Sequence, residues 1–284
     1  MIPIEVQGSD LFKVLLRSKD GSLEFTNREI QSKLTQITLL HLNGNHFSGK
    51  IPSVFNNLRN LISLSISRNN FSGQLPPSIG NLTNLQELGF SHNFNLFNET
   101  IPSWLYTLPS LVILDLSHNK LTGHIGEFQF DSLKYEYLNS NLLQGPLPNP
   151  PNSTFFFSVS HNKLSGEISS LICKASSMGI LDLSNNNLSG MLPHCLGNFS
   201  KDFFDISKSF GNLKLLESLD FSSNKFIGRI SQELTSSIFL EKEKNWSTRV
   251  LPRIIPRGNH FETFGNDSYN GNSGLCGFHY RRNA

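Results

Sequence analysis

The feature that most constrains this sequence is an asparagine that recurs in one local pattern. Residues 181–193, LDLSNNNLSGMLP, show the pattern in full: alternating leucines, then Asn186, Leu188 and Gly190, then a Leu-Pro pair. The aligned asparagines are Asn45, Asn69, Asn93, Asn119, Asn141, Asn162, Asn186 and Asn224. The first three follow each other at intervals of 24 residues. A repeat of this length with the pattern LxxLxLxxN is the leucine-rich-repeat signature.

Each repeat predicts one short strand followed by an inward-facing asparagine. Because strand side chains alternate, the leucines of LxL enter a shared core and the residue between them faces solvent. The asparagine amide can bond backbone groups that the turn leaves unpaired. The glycine that follows suits a tight bend, and the apolar-Pro pair starts a return path that needs no backbone donor. Stacked repeats therefore predict one parallel sheet and one asparagine ladder.

The repeat phase divides the chain into three parts. Residues 1–33 are an atypical N-terminal segment without cysteine, and residues 34–240 hold about eight repeats, irregular at 130–157 and 200–212. Residues 241–284 form a degenerate last repeat and a cap-like tail. Glu136 occupies a leucine position, and an unpaired buried carboxylate costs several kcal/mol unless it is neutralised or turned outward. We therefore expect a local register change that turns Glu136 to solvent.

The outward residues of the strands are the candidate ligand-binding residues. They are His41, Asn43, Ser65, Arg68, His92, Asp115, His118, Tyr137, His161, Asp182 and Asp220. Rows of small polar groups about 5 Å apart suit an extended peptide, protein or glycan. The alternative is that these residues only solvate the sheet. The histidines that precede a ladder asparagine predict either a pH-sensitive contact or simple drift of the repeat.

Composition and motifs argue against several other classes. A net charge of +2 with interspersed signs and no nucleic-acid motif disfavour a nucleic-acid partner. The sequence contains no CxxC or HxxxH cluster, so we predict no metal site. Neither a nucleophile motif nor a phosphate loop or kinase signature is present, so we predict no enzyme, no catalytic residue and no cofactor. The sequence contains no run of about 18 apolar residues, so we predict no membrane span within it. No signal peptide is recognisable.

Cysteines and glycosylation sequons bear on the compartment. Cys173 and Cys195 are 22 residues apart, close to one repeat. They predict either a disulfide in a secreted chain or two free buried thiols, and Cys276 is left over. The motif N-x-S/T permits N-glycosylation at Asn70, Asn81, Asn98, Asn152, Asn187, Asn198, Asn245 and Asn266.

The phrase NxLSGxIPxxLGNL resembles the plant extracellular class of leucine-rich repeat, and residues 143–200 and 255–278 resemble plant receptor-like proteins. The matching repeat positions are Phe71, Ser72, Gly73, Gly190, Pro193 and Gly197. This resemblance implies an α/β, right-handed solenoid with a parallel sheet on the concave face and 3-10 or irregular structure on the convex side. It further implies a plasma-membrane or extracellular ectodomain that senses ligands in defence or development, with a co-receptor kinase as partner.

A departure from the family at the start of the chain keeps other functions open. The family opens with a signal peptide and a cysteine-paired cap, whereas residues 1–33 contain no cysteine. The chain therefore resembles a truncated or internally deleted member of the family. The alternatives are a secreted leucine-rich-repeat inhibitor or binding module and the ectodomain remnant of a receptor kinase, since kinases of this class share the LCG tail.

Overall fold

The structure is a computed structural model, and it describes residues 5–7, 37–51, 58–93, 99–193, 195–196, 218–221, 223–227, 253–254 and 275–276. It divides into two compact units, Met1–Leu143 and Gln144–Ala284, which we call the N-terminal and C-terminal units. The described part of both units consists of short strands joined by turns, loops and 3-10 helices.

Short strands of the N-terminal unit form a main sheet and a small second sheet. Its strands are β1 (Glu5–Gln7), β2 (Leu39–His41), β3 (Ser48–Lys50), β4 (Ser63–Ser65), β5 (Asn70–Ser72), β6 (Glu87–Gly89), β7 (Ile113–Asp115) and β8 (Tyr135–Tyr137). Strands β2, β4, β6, β7 and β8 pair in parallel in this order. Strand β1 pairs with β2 in the antiparallel direction, and β3 pairs with β5 in parallel.

The C-terminal unit repeats this arrangement. Its strands are β9 (Gln144–Gly145), β10 (Phe156–Ser158), β11 (Lys163–Glu167), β12 (Ile180–Asp182), β13 (Asn187–Gly190), β14 (Ser218–Asp220), β15 (Lys225–Phe226), β16 (Arg253–Ile254) and β17 (Leu275–Cys276). Strands β10, β12 and β14 are parallel neighbours, and β9, β11, β13 and β15 form a second parallel sheet. Strands β16 and β17 pair with each other.

Apolar side chains fill the core of each unit because strand residues alternate between core and solvent. Leu40, Leu64 and Leu88 are the central residues of three neighbouring strands, lie in register and are at most 1% exposed. In the C-terminal unit Phe157 lies in register with Leu181, and both are fully buried. The predicted leucine-rich-repeat fold class, with one parallel strand per repeat, is confirmed.

The return paths contain 3-10 helices at Pro77–Asn81, Ser103–Thr107 and Ser170–Lys174. The first two follow Pro76 and Pro102, whose backbone is extended and which have no N–H to satisfy. The third follows Ser169, whose hydroxyl accepts a hydrogen bond from the backbone N–H of Leu171. The apolar-Pro pair and the serine cap therefore start the same return path by different means.

Glu136 is buried, so the expected register change that would turn it to solvent is wrong. Strand β8 keeps its register, which places Glu136 beside Leu114, and Glu136 is 2% exposed. Burial raises the pKa of this carboxyl to about 8, so the group is mostly protonated at neutral pH and the cost of burying a charge is avoided. Of the two ways to avoid that cost, neutralisation and outward rotation, the folded chain uses neutralisation.

Gly126 replaces the usual proline because an aromatic ring lies against this position. A Cβ atom at residue 126 would lie 2.6 Å from the ring of Tyr106. Tyr106 is buried and packs edge-on against Phe128 with ring centroids 5.1 Å apart. The ring therefore fills the space that a proline side chain needs.

The boundaries at residues 1–33, 34–240 and 241–284 stay predictions. Strand β1 lies within the first segment, and residues 200–212 lie outside the described residues. The last segment is described only at β16 and β17.

Candidate ligand-binding face

The candidate site is the set of outward positions on the main-sheet strands and on the turns that follow them, which we call the strand face. In the N-terminal unit it has four rows, and parallel pairing in register places neighbours of one row on neighbouring strands. The rows are Leu39, Ser63, Glu87, Ile113 and Tyr135; His41, Ser65, Gly89, Asp115 and Tyr137; Asn43, Ser67, Ser91, Ser117 and Asn139; and Gly44, Arg68, His92, His118 and Ser140. Adjacent strands lie about 4.8 Å apart.

The first and second rows are joined by a chain of three side chains. The Ser63 hydroxyl lies 2.7 Å from Nε2 of His41 and donates a hydrogen bond of 2.8 Å to Oε2 of Glu87. Sequence analysis missed Ser63 and Glu87 because it began with the residue between the two strand leucines. By the same alternation of side chains, the residue two positions earlier in each strand also faces outward, and this pattern could have identified both residues.

Part of the second and third rows is committed to internal hydrogen bonds. Oδ1 of Asn43 accepts from the Ser65 hydroxyl at 2.7 Å and from the backbone N–H of Ser67 at 2.8 Å. Ser65 is only 7% exposed. Its predicted place among the ligand-binding residues is therefore corrected: the Ser65 hydroxyl fastens neighbouring strands, because the adjacent side chains cover it.

Asp115 fixes the turn that follows its own strand. Its Oδ1 accepts from the hydroxyl of Ser117 at 2.7 Å and from the backbone N–H of Ser117 at 3.0 Å. In the C-terminal unit Asp182 makes the same two contacts with Ser184, and its Oδ2 accepts from Ser158. Asp220 lies in register with Asp182. The aspartates therefore fix the turns that follow their strands and also place negative charge on the strand face.

All described residues of the fourth row, and their counterparts in the C-terminal unit, have left-handed backbone conformation. The φ angles are 66° at Gly44, 57° at Arg68, 56° at His92, 55° at His118, 58° at Ser140, 54° at His161, 53° at Asn185 and 52° at Ser223. Histidine, asparagine and glycine tolerate this region better than most residues. The conformation recurs in successive repeats, so the turn of the repeat sets it and not the individual residue. It therefore gives the fourth-row side chains similar directions.

His92 and His118 stack on each other in this row. Their ring centroids are 4.1 Å apart and their planes differ by 30°, and Nε2 of His118 lies 3.4 Å from the side-chain nitrogen of Asn139. Burial lowers the pKa of His92, and the neighbouring His118 and Arg68 lower it further, whereas Asp115 opposes them. Tyr137 has a raised pKa because of burial and the charge of Asp115.

Gly89 is buried beneath neighbouring side chains of the strand face. A Cβ atom there would lie 2.7 Å from the Ser65 hydroxyl oxygen and 3.4 Å from that of Ser67. On the second row Gly89 stands between Ser65 and Asp115. The Ser65 side chain therefore fills the space that a side chain at residue 89 would need.

The ladder asparagines face the backbone behind the strand face. The Asn119 amide donates to the carbonyl oxygens of Phe90, Leu116 and Ser117 at 3.0 to 3.1 Å, and its Oδ1 accepts from the backbone N–H of Asn93 at 3.2 Å. Comparable bonds are made by Asn45, Asn69, Asn93, Asn141, Asn162, Asn186 and Asn224. These hydrogen bonds tie neighbouring repeats or the turn of the same repeat, and Asn69, Asn93, Asn119, Asn141 and Asn224 are buried.

Cys173 and Cys195 are joined by a disulfide in the C-terminal unit, with their Cα atoms 6.0 Å apart. Cys173 lies in the 3-10 helix Ser170–Lys174. The sequon asparagines Asn70, Asn81, Asn152 and Asn187 are exposed, whereas Asn98, Asn198, Asn245 and Asn266 lie outside the described residues.

Two further features concern the described part of the chain alone. It contains no helix that is long and apolar enough to span a membrane. It also contains no group of three or more His, Cys, Asp or Glu side chains placed to hold a metal ion.

Comparison with known proteins gives the same fold. The Leucine Rich Repeat family matches residues 36–58, 60–82, 110–130 and 178–199, and each match contains one of the main-sheet strands or the segment that leads to one. The chain therefore contains leucine-rich repeats. Its resemblance to plant receptor-like proteins is also confirmed by curated relatives.

This leucine-rich-repeat protein is 45% identical to Receptor-like protein 7 of Arabidopsis thaliana over 108 residues, which are 36% of this chain and 11% of the relative. It is 31% identical to Receptor-like protein 32 of Arabidopsis thaliana over 190 residues, 66% of this chain and 20% of the relative. The chain thus matches only a tenth to a fifth of the length of these relatives.

Two solved structures have a similar fold. One is the ectodomain of the membrane receptor kinase GASSHO1/SCHENGEN3 from Arabidopsis thaliana, in complex with CASPARIAN STRIP INTEGRITY FACTOR 2, with a TM-score of 0.68, 27% identity and coverage of 88% of this chain and 31% of that one. The other is a plant ice-binding protein, also with a TM-score of 0.68 and 27% identity, covering 88% of this chain and 76% of that one.

Proposed function

We propose that this leucine-rich-repeat protein is a non-enzymatic, ligand-binding part of a plant receptor-like protein. The strand face of the N-terminal unit binds an extended peptide, protein segment or glycan. The observation that carries the proposal is the set of exposed or partly exposed side chains Arg68, Asp115 and Tyr137 on strands of one parallel sheet and the turns after them. They present a cation, an anion and a phenol to an extended ligand.

The rows supply contacts at a spacing that an extended ligand can follow. Successive strands repeat each outward position about every 4.8 Å, while alternate residues of an extended peptide recur about every 6.8 Å. A peptide that crosses the strands passes over Asp115 and Tyr137, which are neighbours in one row, and can reach Arg68, which follows a strand two away from that of Asp115. These side chains are at least partly exposed, unlike Ser65.

The His41, Ser63 and Glu87 chain supports a binding role over a catalytic one. In a Ser-His-acid triad the acid orients the histidine and the histidine takes the serine proton. Here Ser63 donates directly to Glu87, and Ser63 is 3% exposed. A substrate carbonyl has no path to this hydroxyl, so the three groups act together as a fixed polar surface.

We further propose an extracellular or plasma-membrane location and signalling in defence or development with a co-receptor kinase. The Cys173–Cys195 disulfide is typical of oxidising compartments, and exposed Asn70 and Asn187 are accessible to glycosylation. The relatives are receptor-like proteins of Arabidopsis thaliana. Secretion from plant cells, followed by glycosidase treatment and mass spectrometry of these asparagines, tests the location.

A peptide-display selection against the secreted chain tests the binding function. Selected peptides should bind the wild-type chain and lose at least about tenfold in affinity in Tyr137→Ala, because truncating an aromatic side chain in a binding face is costly. Asn84→Ala is the matched control, because Asn84 is exposed outside the strand face. Failure to select any peptide or glycan ligand, or equal loss with both variants, contradicts the proposal.

A further inference from the structure

The fourth row of the N-terminal unit places three groups that can carry positive charge side by side. Arg68, His92 and His118 follow the parallel strands β4, β6 and β7 at the same repeat position. Their φ angles agree within a few degrees, from 55° to 57°. Since backbone conformation sets the direction of the Cα–Cβ bond, the three side chains project from equivalent points of adjacent strands.

This row brings its charged groups together at close range. Arg68 is exposed, His92 and His118 are partly exposed, and the two imidazole rings stack with centroids 4.1 Å apart. Protonating both rings beside the Arg68 guanidinium places like charges next to each other, which is unfavourable unless a negative charge joins them. The row is therefore more cationic, and easier to protonate, when an anion lies across it.

The carboxylates near this row already accept hydrogen bonds from other side chains and belong to other rows. Oδ1 of Asp115 accepts two hydrogen bonds from Ser117, and Glu87 accepts from Ser63. The other neighbouring side chains, Tyr137 and Asn139, carry no formal charge at neutral pH. Asp115 favours protonation of His92, but burial, His118 and Arg68 together prevail and lower the pKa of His92.

We propose that Arg68, His92 and His118 form a subsite for a carboxylate of an acidic peptide ligand, which binds with uptake of protons by the two histidines. This inference rests on the proposed binding function and specifies the charge of the ligand. Charge-assisted hydrogen bonds from guanidinium and imidazolium to a carboxylate are stronger than neutral ones. By linkage, a ligand that prefers the protonated histidines binds more tightly as pH falls.

The C-terminal unit offers a matched control. His161 has the same left-handed conformation, with φ of 54°, and it is exposed. The next fourth-row residue of that unit is Asn185, so His161 lacks the neighbouring histidine on that side. Asparagine tolerates left-handed backbone, so His92→Asn, His118→Asn and His161→Asn remove the imidazole without straining the turn.

The test uses two capped peptides with alternating glycine, one with glutamate and one with glutamine at the other positions. Binding to the full chain is measured by calorimetry at about pH 5.5 and about pH 7.5, on either side of the ordinary histidine pKa. The glutamate peptide should bind at least about tenfold more tightly at the lower pH, and His92→Asn with His118→Asn should abolish that gain. Arg68→Gln should weaken binding at both pH values, while His161→Asn should leave it unchanged.

The outcomes separate this subsite from the proposed function. Equal affinity for the glutamate and glutamine peptides, or an equal effect of His161→Asn, overturns the carboxylate subsite but leaves a ligand-binding face. The subsite is likewise overturned, and the binding face kept, if neither peptide binds while display-selected peptides do. If no selected ligand binds either, both the subsite and the proposed function fail.

Discussion

Glu136 lies in register with Leu114 across the parallel strands β8 and β7. Leu114 belongs to the row of fully buried leucines that forms the core of the N-terminal unit. Glu136 is 2% exposed, and its Oε1 has no hydrogen-bond partner within the described residues. A single core position therefore carries a carboxyl group where the repeat pattern has an aliphatic side chain.

Burial of Glu136 makes stability depend on pH. The pKa of its carboxyl is raised by burial to about 8 in the folded chain from 4.5, so between these values the folded state holds a proton that the unfolded state has lost. The free energy of unfolding should therefore fall as pH rises through this window, by at most about 1.4 kcal/mol per pH unit. Urea denaturation at intervals across the window measures this slope.

Glu136→Leu should remove that contribution and raise stability at pH 7 by about 1 to 3 kcal/mol, because leucine matches the apolar row without a polar group to desolvate. The matched control is Glu127→Leu, since Glu127 is exposed. A wild-type slope that persists in Glu136→Leu, or that disappears equally in Glu127→Leu, would show that Glu136 is not its source.

Asn119 should be far more important for stability than an exposed asparagine. Asn119→Ala removes the oxygen that accepts from the backbone N–H of Asn93, and Asn93 is fully buried. We expect a loss of about 2 to 3 kcal/mol, since a buried donor is left without an acceptor. Asn84→Ala is the control, because Asn84 is exposed and makes one long bond to a carbonyl. Comparable denaturation midpoints for the two variants would contradict this role.

The periodic part of the sequence was sufficient to predict the strands, their parallel order and the inward asparagines, because each repeat places its residues in the same register. It did not predict the left-handed turn of the fourth row, although Gly44 and Asn185 at that position are residues that tolerate it. Arg68 obscured the signal, since arginine rarely adopts positive φ.

The misjudged residues are those whose behaviour depends on their neighbours. Burial of Glu136 depends on a protonation change that only the surrounding core can cause. Likewise, the strand alternation predicts that Ser65 faces solvent, yet neighbouring side chains cover it. The stacking of His92 on His118 depends on the shared turn geometry, which the spacing alone did not reveal.

The Cys173–Cys195 disulfide should stabilise the folded chain by about 3 kcal/mol, as a bridge that closes a loop of roughly 20 residues constrains the unfolded state. The double variant Cys173→Ala with Cys195→Ala and the reduced wild type should therefore melt at similarly lower temperatures. Thiol labelling of the unfolded, unreduced chain should modify Cys276 alone. Equal labelling of all three cysteines would contradict the bridge.

The contact between Gly89 and Ser65 should appear as a coupling energy. A Cβ atom on residue 89 would lie 2.7 Å from the Ser65 hydroxyl oxygen, which donates to Asn43 at 2.7 Å. In Gly89→Ala that hydroxyl has to move and its hydrogen bond is lost, whereas in Ser65→Ala the oxygen is absent. We expect Gly89→Ala to be about 1 kcal/mol less costly in the Ser65→Ala background.

The double-mutant cycle isolates this contact because other effects cancel. Replacing glycine restricts the unfolded chain by the same amount in either background, so that contribution drops out of the coupling. Urea denaturation of the four chains gives the value, and Ser103→Ala, an exposed serine in a 3-10 helix, should combine additively with Gly89→Ala. A coupling below about 0.3 kcal/mol would mean that the Ser65 hydroxyl moves without loss and makes room for a side chain at residue 89.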